Sequence, residues 1–292
     1  MFGDNTKEKD IQVSAFRHLS NMRYYEKNHE KDEATFTLTN KNMDWASVGT
    51  GLYDFQTEKQ PNGERVEKLT WRENTKTETV GFPAIKELPK DYTLTGKGNQ
   101  TLVSNLHLNE ESVADDTTTT NLNISKSEFL GLFAELKGSV KNVTFRDPAL
   151  MIGQKNENKS TGDCKSLKGI GVLAGRSEGK LTDVAITRTK QNSSTDKANI
   201  KVDVSNANVS ENKDTLGVGM LVGVLADYEN GEIKALSAGT MSKLSTEGKM
   251  EAILPGAAKQ DDAYGIGGIV GYAKLKNERN AVKVDNCANH AD

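Results

Sequence analysis

The chain has 292 residues, 26 of them glycine, and its 38 basic and 41 acidic side chains leave a net charge of −3. Because the two signs alternate along the chain, no basic face is available for nucleic acid. Runs of about 20 apolar residues are missing, which excludes a membrane-spanning helix in this segment, and the abundance of Gly, Asn and Thr argues against a helical bundle.

The N-terminal residues predict a tail followed by a helix. Residues 1–10 (MFGDNTKEKD) are polar and are expected to be disordered. Residues 13–25 carry an apolar stripe at spacings of three, and Ser14 is available as the N-cap of a helix. The stripe consists of Val13, Phe16, Leu19 and Met22. It has no basic face, so a cap over the open edge of a sheet is favoured over a membrane-surface helix.

Aromatic residues are concentrated in the first third, where 11 of the 17 occur within residues 1–92. Flat aromatic faces beside polar groups are typical of sugar-binding sites. The candidate ligand-binding cluster consists of Trp45, Tyr53, Trp71, Asp44 and Asp54. Packing in the core and the cap is the alternative role of these residues, and it is the commoner one.

The predicted organisation follows the composition along the chain. Residues 11–110 are assigned to a cap helix and the first coils of a solenoid, and residues 124–292 to repeat coils that continue the same solenoid. Between them, residues 111–123 include ESVADDTTTT (111–120) and predict an exposed polar loop.

Four segments share one frame, in which Gly-x-hydrophobic-Ala/Val is followed by a polar turn and a short alternating strand. They are GLFAELKGSVKNVTF (131–145), GVLAGRSEGKLTDVAI (171–186), GMLVGVLADYENGEIKALS (219–237) and GGIVGYAKLKNERNAVKVDNCA (267–288). The frame glycines are Gly131, Gly171, Gly175, Gly219, Gly223, Gly267 and Gly271. The first segment has Glu135 where the other three have their second glycine. The first glycines are 40, 48 and 48 residues apart.

This frame predicts an all-β stack of repeats. Alternating strands bury one face, glycines allow close backbone approach, and no unit can bury its apolar side alone. At roughly 20–25 residues per coil, a 48-residue unit would cover about two coils, with NIKVDVS (199–205) and MEAIL (250–254) as second coils. A propeller is not favoured, because it would need four strands per unit and these units show two. Leucine-rich repeats are not favoured, because closely spaced leucines are missing.

The four segments resemble the GLUG motif, as in GMLVG and GGIVG. LTGKGNQTLVSNLHL (94–108) is similar to the segment that precedes such repeats, and VSAFRHLSNMRYY (13–25) and ATFTLTNKNMDW (34–45) to their opening helix and first strand. The resemblance covers about residues 11–292. It implies a right-handed parallel β-helix from an extracellular bacterial cell-surface, adhesin-like protein or a non-catalytic region of an IgA1-protease-like protein. The insertions 154–168, 189–198 and 206–215 depart from that pattern and indicate elaborated loops.

The sequence contains no catalytic motif. His29-Glu30 begins like a zinc-protease motif, but Glu33 stands where its second histidine would be. Parallel β-helices also host polysaccharide lyases and hydrolases, which need converging acidic groups, yet Asp183 and Asp285 are not at equivalent strand positions.

No metal site or cofactor is predicted from the sequence. The acidic pairs Asp115-Asp116 and Asp261-Asp262 are expected to be solvated loop charges rather than a Ca²⁺ site. Cys164 and Cys287 are expected to be separate thiols, although pairing stays open.

The predicted function is a non-enzymatic extracellular module of the bacterial cell surface, used for adhesion or as a display stalk. A host glycoprotein, a glycan or extracellular matrix is the expected partner, without nucleic acid and without membrane insertion by this segment. A carbohydrate-active β-helix enzyme and a substrate-presenting domain of a surface protease are the alternatives. The final VDNCANHAD lacks a capping element, so the remainder of a longer surface protein is expected to follow.

Overall fold

The computed structural model describes residues 10–16, 18–22, 33–45, 51–59, 65–73, 82, 84–98, 101–109, 128–152, 167–189, 200–203, 215–254, 263–276 and 282–291. Strands make up most of these residues, and helical residues occur among them only at 16, 18–22 and 45. The prediction of an all-β chain is therefore confirmed.

The strands are named in chain order. They are β1 (Asp10–Val13), β2 (Ala34–Leu38), β3 (Asn42–Asp44), β4 (Gly51–Lys59), β5 (Arg65–Glu73), β6 (Ile85–Leu88), β7 (Tyr92–Gly96), β8 (Thr101–Ser104), β9 (His107–Asn109), β10 (Phe129–Leu130), β11 (Phe133–Leu136), β12 (Ser139–Arg146), β13 (Ala149–Ile152), β14 (Gly169–Ile170), β15 (Ala174–Ser177), β16 (Lys180–Thr187), β17 (Ile200–Asp203), β18 (Thr215–Gly219), β19 (Val222–Leu225), β20 (Asp227–Glu229), β21 (Glu232–Lys234), β22 (Gly239–Gly248), β23 (Met250–Ile253), β24 (Ala263–Gly267), β25 (Val270–Ala273), β26 (Val282–Asp285) and β27 (Ala288–Ala291).

Four parallel sheets hold nearly all of these strands. Sheet I runs β1-β2-β7-β12-β16-β22-β26, with β8 beside β12, β3 beside β8 and β27 beside β22. Sheet II runs β6-β11-β15-β19-β25, sheet III β10-β14-β18-β24, and sheet IV β9-β13-β17-β23. Two antiparallel hairpins, β4-β5 and β20-β21, stand outside these sheets.

Each of the first three repeats adds one strand to each parallel sheet, and the fourth adds β24 to sheet III, β25 to sheet II and both β26 and β27 to sheet I. Gly219 pairs directly with Gly267, and Ile170 pairs with Leu130 and with Val218, so neighbouring repeats lie on neighbouring rungs. The expectation of two coils per repeat is therefore wrong. The segments taken as second coils supply β17 and β23, which pair with each other in sheet IV. The long period arises because polar connections between the strands lengthen each repeat without adding a rung.

The second glycine of the frame lies where the backbone of sheet II touches sheet III. A Cβ atom added to Gly223 would lie 2.2 Å from the backbone nitrogen of Ile170, far inside contact distance. In the first repeat this rung is filled by Ala134 and not, as the sequence frame suggested, by Glu135. The ladder pairs Phe133 with Ala174 and Glu135 with Arg176, because the first repeat is one residue shorter in the preceding bend.

A left-handed backbone residue bends each long strand of sheet I at the same rung. Asn142, Asp183 and Lys243 have φ angles of 58°, 56° and 52° and follow one another in register through β12, β16 and β22. Asn and Asp adopt this conformation more readily than other non-glycine residues. Because these bends are stacked, sheet I consists of two strips of strand segments, one on each side of the line of bends.

The N-terminal region differs from the predicted helix. Asp10, assigned to the tail, begins β1, and Val13 ends that strand instead of belonging to the helical stripe. The other stripe residues, Phe16, Leu19 and Met22, are buried in the main core. Val13 is equally buried because alternation along β1 turns it inward. The Ser14 hydroxyl hydrogen-bonds Nδ1 of His18 at 3.2 Å.

Candidate functional site

The predicted ligand cluster is divided by the fold. The ring centroids of Trp45 lie 5.0 Å from Phe16 and 5.3 Å from Phe82, so this tryptophan packs against the core. The Asp44 carboxylate accepts a 2.7 Å hydrogen bond from Nδ2 of Asn105. These two residues therefore have structural contacts on the main stack.

The other three predicted residues belong to the hairpin β4-β5. Its register places Tyr53 directly opposite Trp71, and Asp54 opposite Thr70. Because successive strand residues belong to opposite faces, the two aromatic residues share one face and Asp54 belongs to the other. The structure thus brings one pair of the predicted cluster together and separates the rest.

A different cluster, which we call the charged face, forms on sheet II beside the hairpin β20-β21. Glu87, Glu135 and Arg176 occupy successive rungs of this sheet. Rungs are about 4.8 Å apart, so two neighbouring carboxylates would repel each other without cations beside them. The sequence signal for this cluster is the repeated Glu-Leu of IKEL (85–88) and FAEL (133–136). The sequence prediction considered acidic residues only in the second strand of each repeat and therefore did not include it.

Arg176 organises the charged face and is fully buried, with 0% of its surface exposed. Its Nη2 lies 2.5 Å from Oε2 of Glu135, and its Nη1 donates to the backbone oxygen of Ala226 at 3.1 Å. The guanidinium carbon lies 5.9 Å and 5.6 Å from the ring centroids of Phe129 and Tyr228. Two rings and a carboxylate thus replace the water that a buried cation loses.

Glu178 lies beside this arginine and shares a side-chain hydrogen bond with Asp227 at the start of the hairpin. Its Oε2 is 3.6 Å from Nη1 of Arg176. Burial raises the pKa of Glu178, with Asp227 acting in the same direction, and Arg176 opposes the shift without cancelling it. Burial and the neighbouring Asp227 therefore favour the protonated form of the Glu178 carboxyl more than water does.

Lys168 closes the other side of the hairpin. Its Nζ donates to Oε1 of Glu128 at 2.6 Å and to the backbone oxygen of Gly231 at 2.8 Å. The Tyr228 hydroxyl donates to the other oxygen of Glu128. Burial and this carboxylate raise the pKa of Tyr228 well above its usual range, so the phenol stays neutral and is not a nucleophile.

The charges of this face are largely neutralised within the protein. Three ion pairs do this: Lys137 Nζ lies 2.9 Å from Oε2 of Glu87, and Arg176 pairs with Glu135. Lys168 pairs with Glu128. The apolar side chains beneath the hairpin, Phe129, Val224, Ala226 and Ile233, form a second small core. The geometry is that of a hairpin fastened to a sheet, with the Glu178 carboxyl beside Arg176 and Asp227.

Several predicted features fall beyond the described part of the chain. These are the acidic pairs Asp115-Asp116 and Asp261-Asp262, Cys164, the loop 111–123 and most of the three insertions. Cys287 is described and has a free thiol. Among the described residues, no group of three or more His, Cys, Asp or Glu side chains is placed to hold a metal ion. Nor does the described part include a helix with the length and apolar character to cross a membrane.

Comparison with protein-family models, with curated proteins and with solved structures gives no match to this chain. The likeness to the GLUG motif therefore rests on the residues quoted above.

Proposed function

We propose that this chain is a non-enzymatic extracellular module of a bacterial surface protein, in which a right-handed parallel β-helix serves adhesion or forms a display stalk. The observation that carries the proposal is the continuity of the parallel ladders, which run through five strands in sheet II and four in each of sheets III and IV. Stacked repeats of this kind make stiff elongated bodies. In this proposal the residues around Phe16 cap the N-terminal end of the helix.

The connections between sheets IV and III support a display role. In every repeat this connection is long and polar, and the four segments are 110–128, 153–168, 204–214 and 254–262. Each is flanked by a strand of sheet IV and a strand of sheet III, so the variable sequences of successive repeats leave and rejoin the described strands at equivalent places. A scaffold that repeats a rung while varying one connection is suited to recognition.

The hairpin β4-β5 is the proposed adhesive element, with a glycan or host glycoprotein as its ligand. Tyr53 and Trp71 form the directly opposed pair of one face, which suits stacking against sugar rings. Trp45 and Asp44 have their contacts with Phe16, Phe82 and Asn105, and they are not part of the proposed ligand face.

Binding of the purified chain to arrays of glycans, host glycoproteins and matrix proteins tests this function. The double variant Tyr53→Ala/Trp71→Ala should lose at least about tenfold in affinity. The control is Gln56→Ala/Lys68→Ala, a directly opposed pair on the other face of the same hairpin, which should bind as the parent does. If the parent binds nothing on the arrays, adhesion is wrong and the stalk role is left.

A carbohydrate-active β-helix enzyme is the second candidate, favoured by the carboxyl groups of Glu178 and Asp227 beside Arg176. Two carboxyl groups, one acting as acid and the other as base, with a cation beside them are groups that such an enzyme can use. Incubation with neutral and uronic-acid polysaccharides should then release products, and Glu178→Gln should abolish the release. Absence of turnover in the parent chain rejects this candidate.

A further inference from the structure

The C-terminal end of the stack exposes side chains that every earlier repeat buries. Ile266 is 51% exposed, whereas Val218 on the preceding rung is 0% exposed. Val284 is 61% exposed and its neighbour Met241 only 2%. These residues point to the core side of their sheets, so their exposure reflects a missing next layer.

A third ladder shows the same change. Leu275 is 43% exposed, and Leu236, which it faces across a parallel bridge, is 3% exposed. We call Ile266, Leu275 and Val284 the open end. Their shared position on the last described rung matters because single exposed apolar residues are normal, whereas the end of a core is not.

The glycine frame specifies what fits there. A Cβ atom on Gly175 would lie 2.3 Å from the backbone nitrogen of Leu130, and one on Gly271 would lie 2.3 Å from that of Val218. Gly223 meets Ile170 in the same way, at 2.2 Å. Each second glycine thus packs on the sheet III strand of the repeat before it. Ile266 is the next member of that series.

We propose, on the basis of the β-helix inferred above, that the open end is a docking surface for one further repeat of this chain's own type, added in parallel register with glycine at the rung after Gly271. The contact would continue the interface that already joins the repeats within the chain. It buries the open end and continues the parallel pairing at β24 to β27, the last strands of sheets I, II and III.

A second copy of the chain fits this surface less well. At the opposite end Phe16, Leu19 and Met22 are buried, so two copies would meet through identical open ends. The two-fold axis of such a contact turns the edge strands antiparallel to each other. That arrangement does not reproduce the glycine-to-backbone contact on which the parallel ladders depend.

The test is to append a second copy of residues 250–291 after Asp292, which continues the register because Ala288–Ala291 pair with Ser245–Gly248. The extension should raise Tm by about 5 °C and slow hydrogen exchange of the Val282–Asp285 amides at least about tenfold. The matched control carries the same extension with valine at the copied position of Gly271, and both gains should be lost.

Equal gains with glycine and with valine would overturn the proposal, as would an appended repeat whose amides stay unprotected. A parent chain that sediments as a dimer, and becomes monomeric on Val284→Lys, would also overturn it in favour of a second copy. Because none of these measurements uses glycan binding, failure here is distinct from failure of the proposed adhesion.

Discussion

The strands at the two ends of sheet I have similar sequences but differ in the burial of their apolar side chains. β1 (DIQV) and β26 (VKVD) are both four-residue edge strands with two β-branched apolar residues in alternation. Val13 in β1 is 0% exposed, whereas Val284 in β26 is 61% exposed. Alternation therefore predicts which side of a strand is apolar, but burial depends on what covers the strand. At the first end the cover is local sequence, since Phe16, Leu19 and Met22 join the same core.

The largest expected effect comes from breaking the covered end. Phe16→Ala removes a ring that is 3% exposed and packs against Trp45 and Phe82, so it should lower the free energy of unfolding by about 3–5 kcal/mol in urea denaturation. Phe16→Leu, which retains most of the volume, should cost less than about 1.5 kcal/mol. A loss below about 1 kcal/mol for the alanine variant would show that this end is not sealed by the ring.

One ladder of sheet III allows the same substitution in the middle and at the open end. Ile170 is 0% exposed and Ile266, two rungs later, is 51% exposed. Ile170→Ala should lower the free energy of unfolding by about 2–5 kcal/mol, and Ile266→Ala by about 1 kcal/mol. Both variants are compared with the parent chain by urea denaturation. Equal losses would mean that the open end is covered in solution.

Both ends of the stack depend on intact repeats between them. A substitution at Gly223 tests whether the glycine frame holds these repeats together. Gly223→Val forces a side chain against the backbone of Ile170 and should lower the free energy of unfolding by about 1–3 kcal/mol. Gly239→Val is the control, because a Cβ there meets only side-chain atoms, the nearest at 3.2 Å. An unchanged Tm for Gly223→Val would contradict the role given to the glycine frame.

Local patterns predicted the strands and the stacked glycines because both follow from the backbone. Gly219 and Gly267 do lie on adjacent rungs of one ladder. The number of coils per repeat was wrong because strands 48 residues apart, such as those of Gly219 and Gly267, pair directly with each other. The alignment of Glu135 was also wrong, since one deleted residue in a bend shifts the register and a sequence frame cannot locate it.

The charged face could be predicted only in part, because it is assembled from distant segments. The Glu-Leu repeat of β6 and β11 predicts a carboxylate ladder, as a period-two pattern fixes the face of a strand. Arg176 stands in an otherwise apolar frame, and its partners Glu135 and Tyr228 lie 41 and 52 residues away in sequence. Nothing local indicates that a hairpin will fold over this side chain.

The smallest expected effect concerns the region between the ends, where Glu178 makes stability depend on pH. Because burial raises its pKa above the ordinary value of 4.5, the unfolded chain releases this proton at a lower pH than the folded chain. Its contribution to the free energy of unfolding is therefore full below about pH 4.5 and is lost as the pH rises through the folded pKa. Glu178→Gln should flatten that part of the stability curve, measured by denaturation at successive pH values. Phe16→Ala should keep the slope of the parent, because the ring lies at an end and carries no charge. If Glu178→Gln keeps the parent slope, the pH dependence does not arise at the charged face.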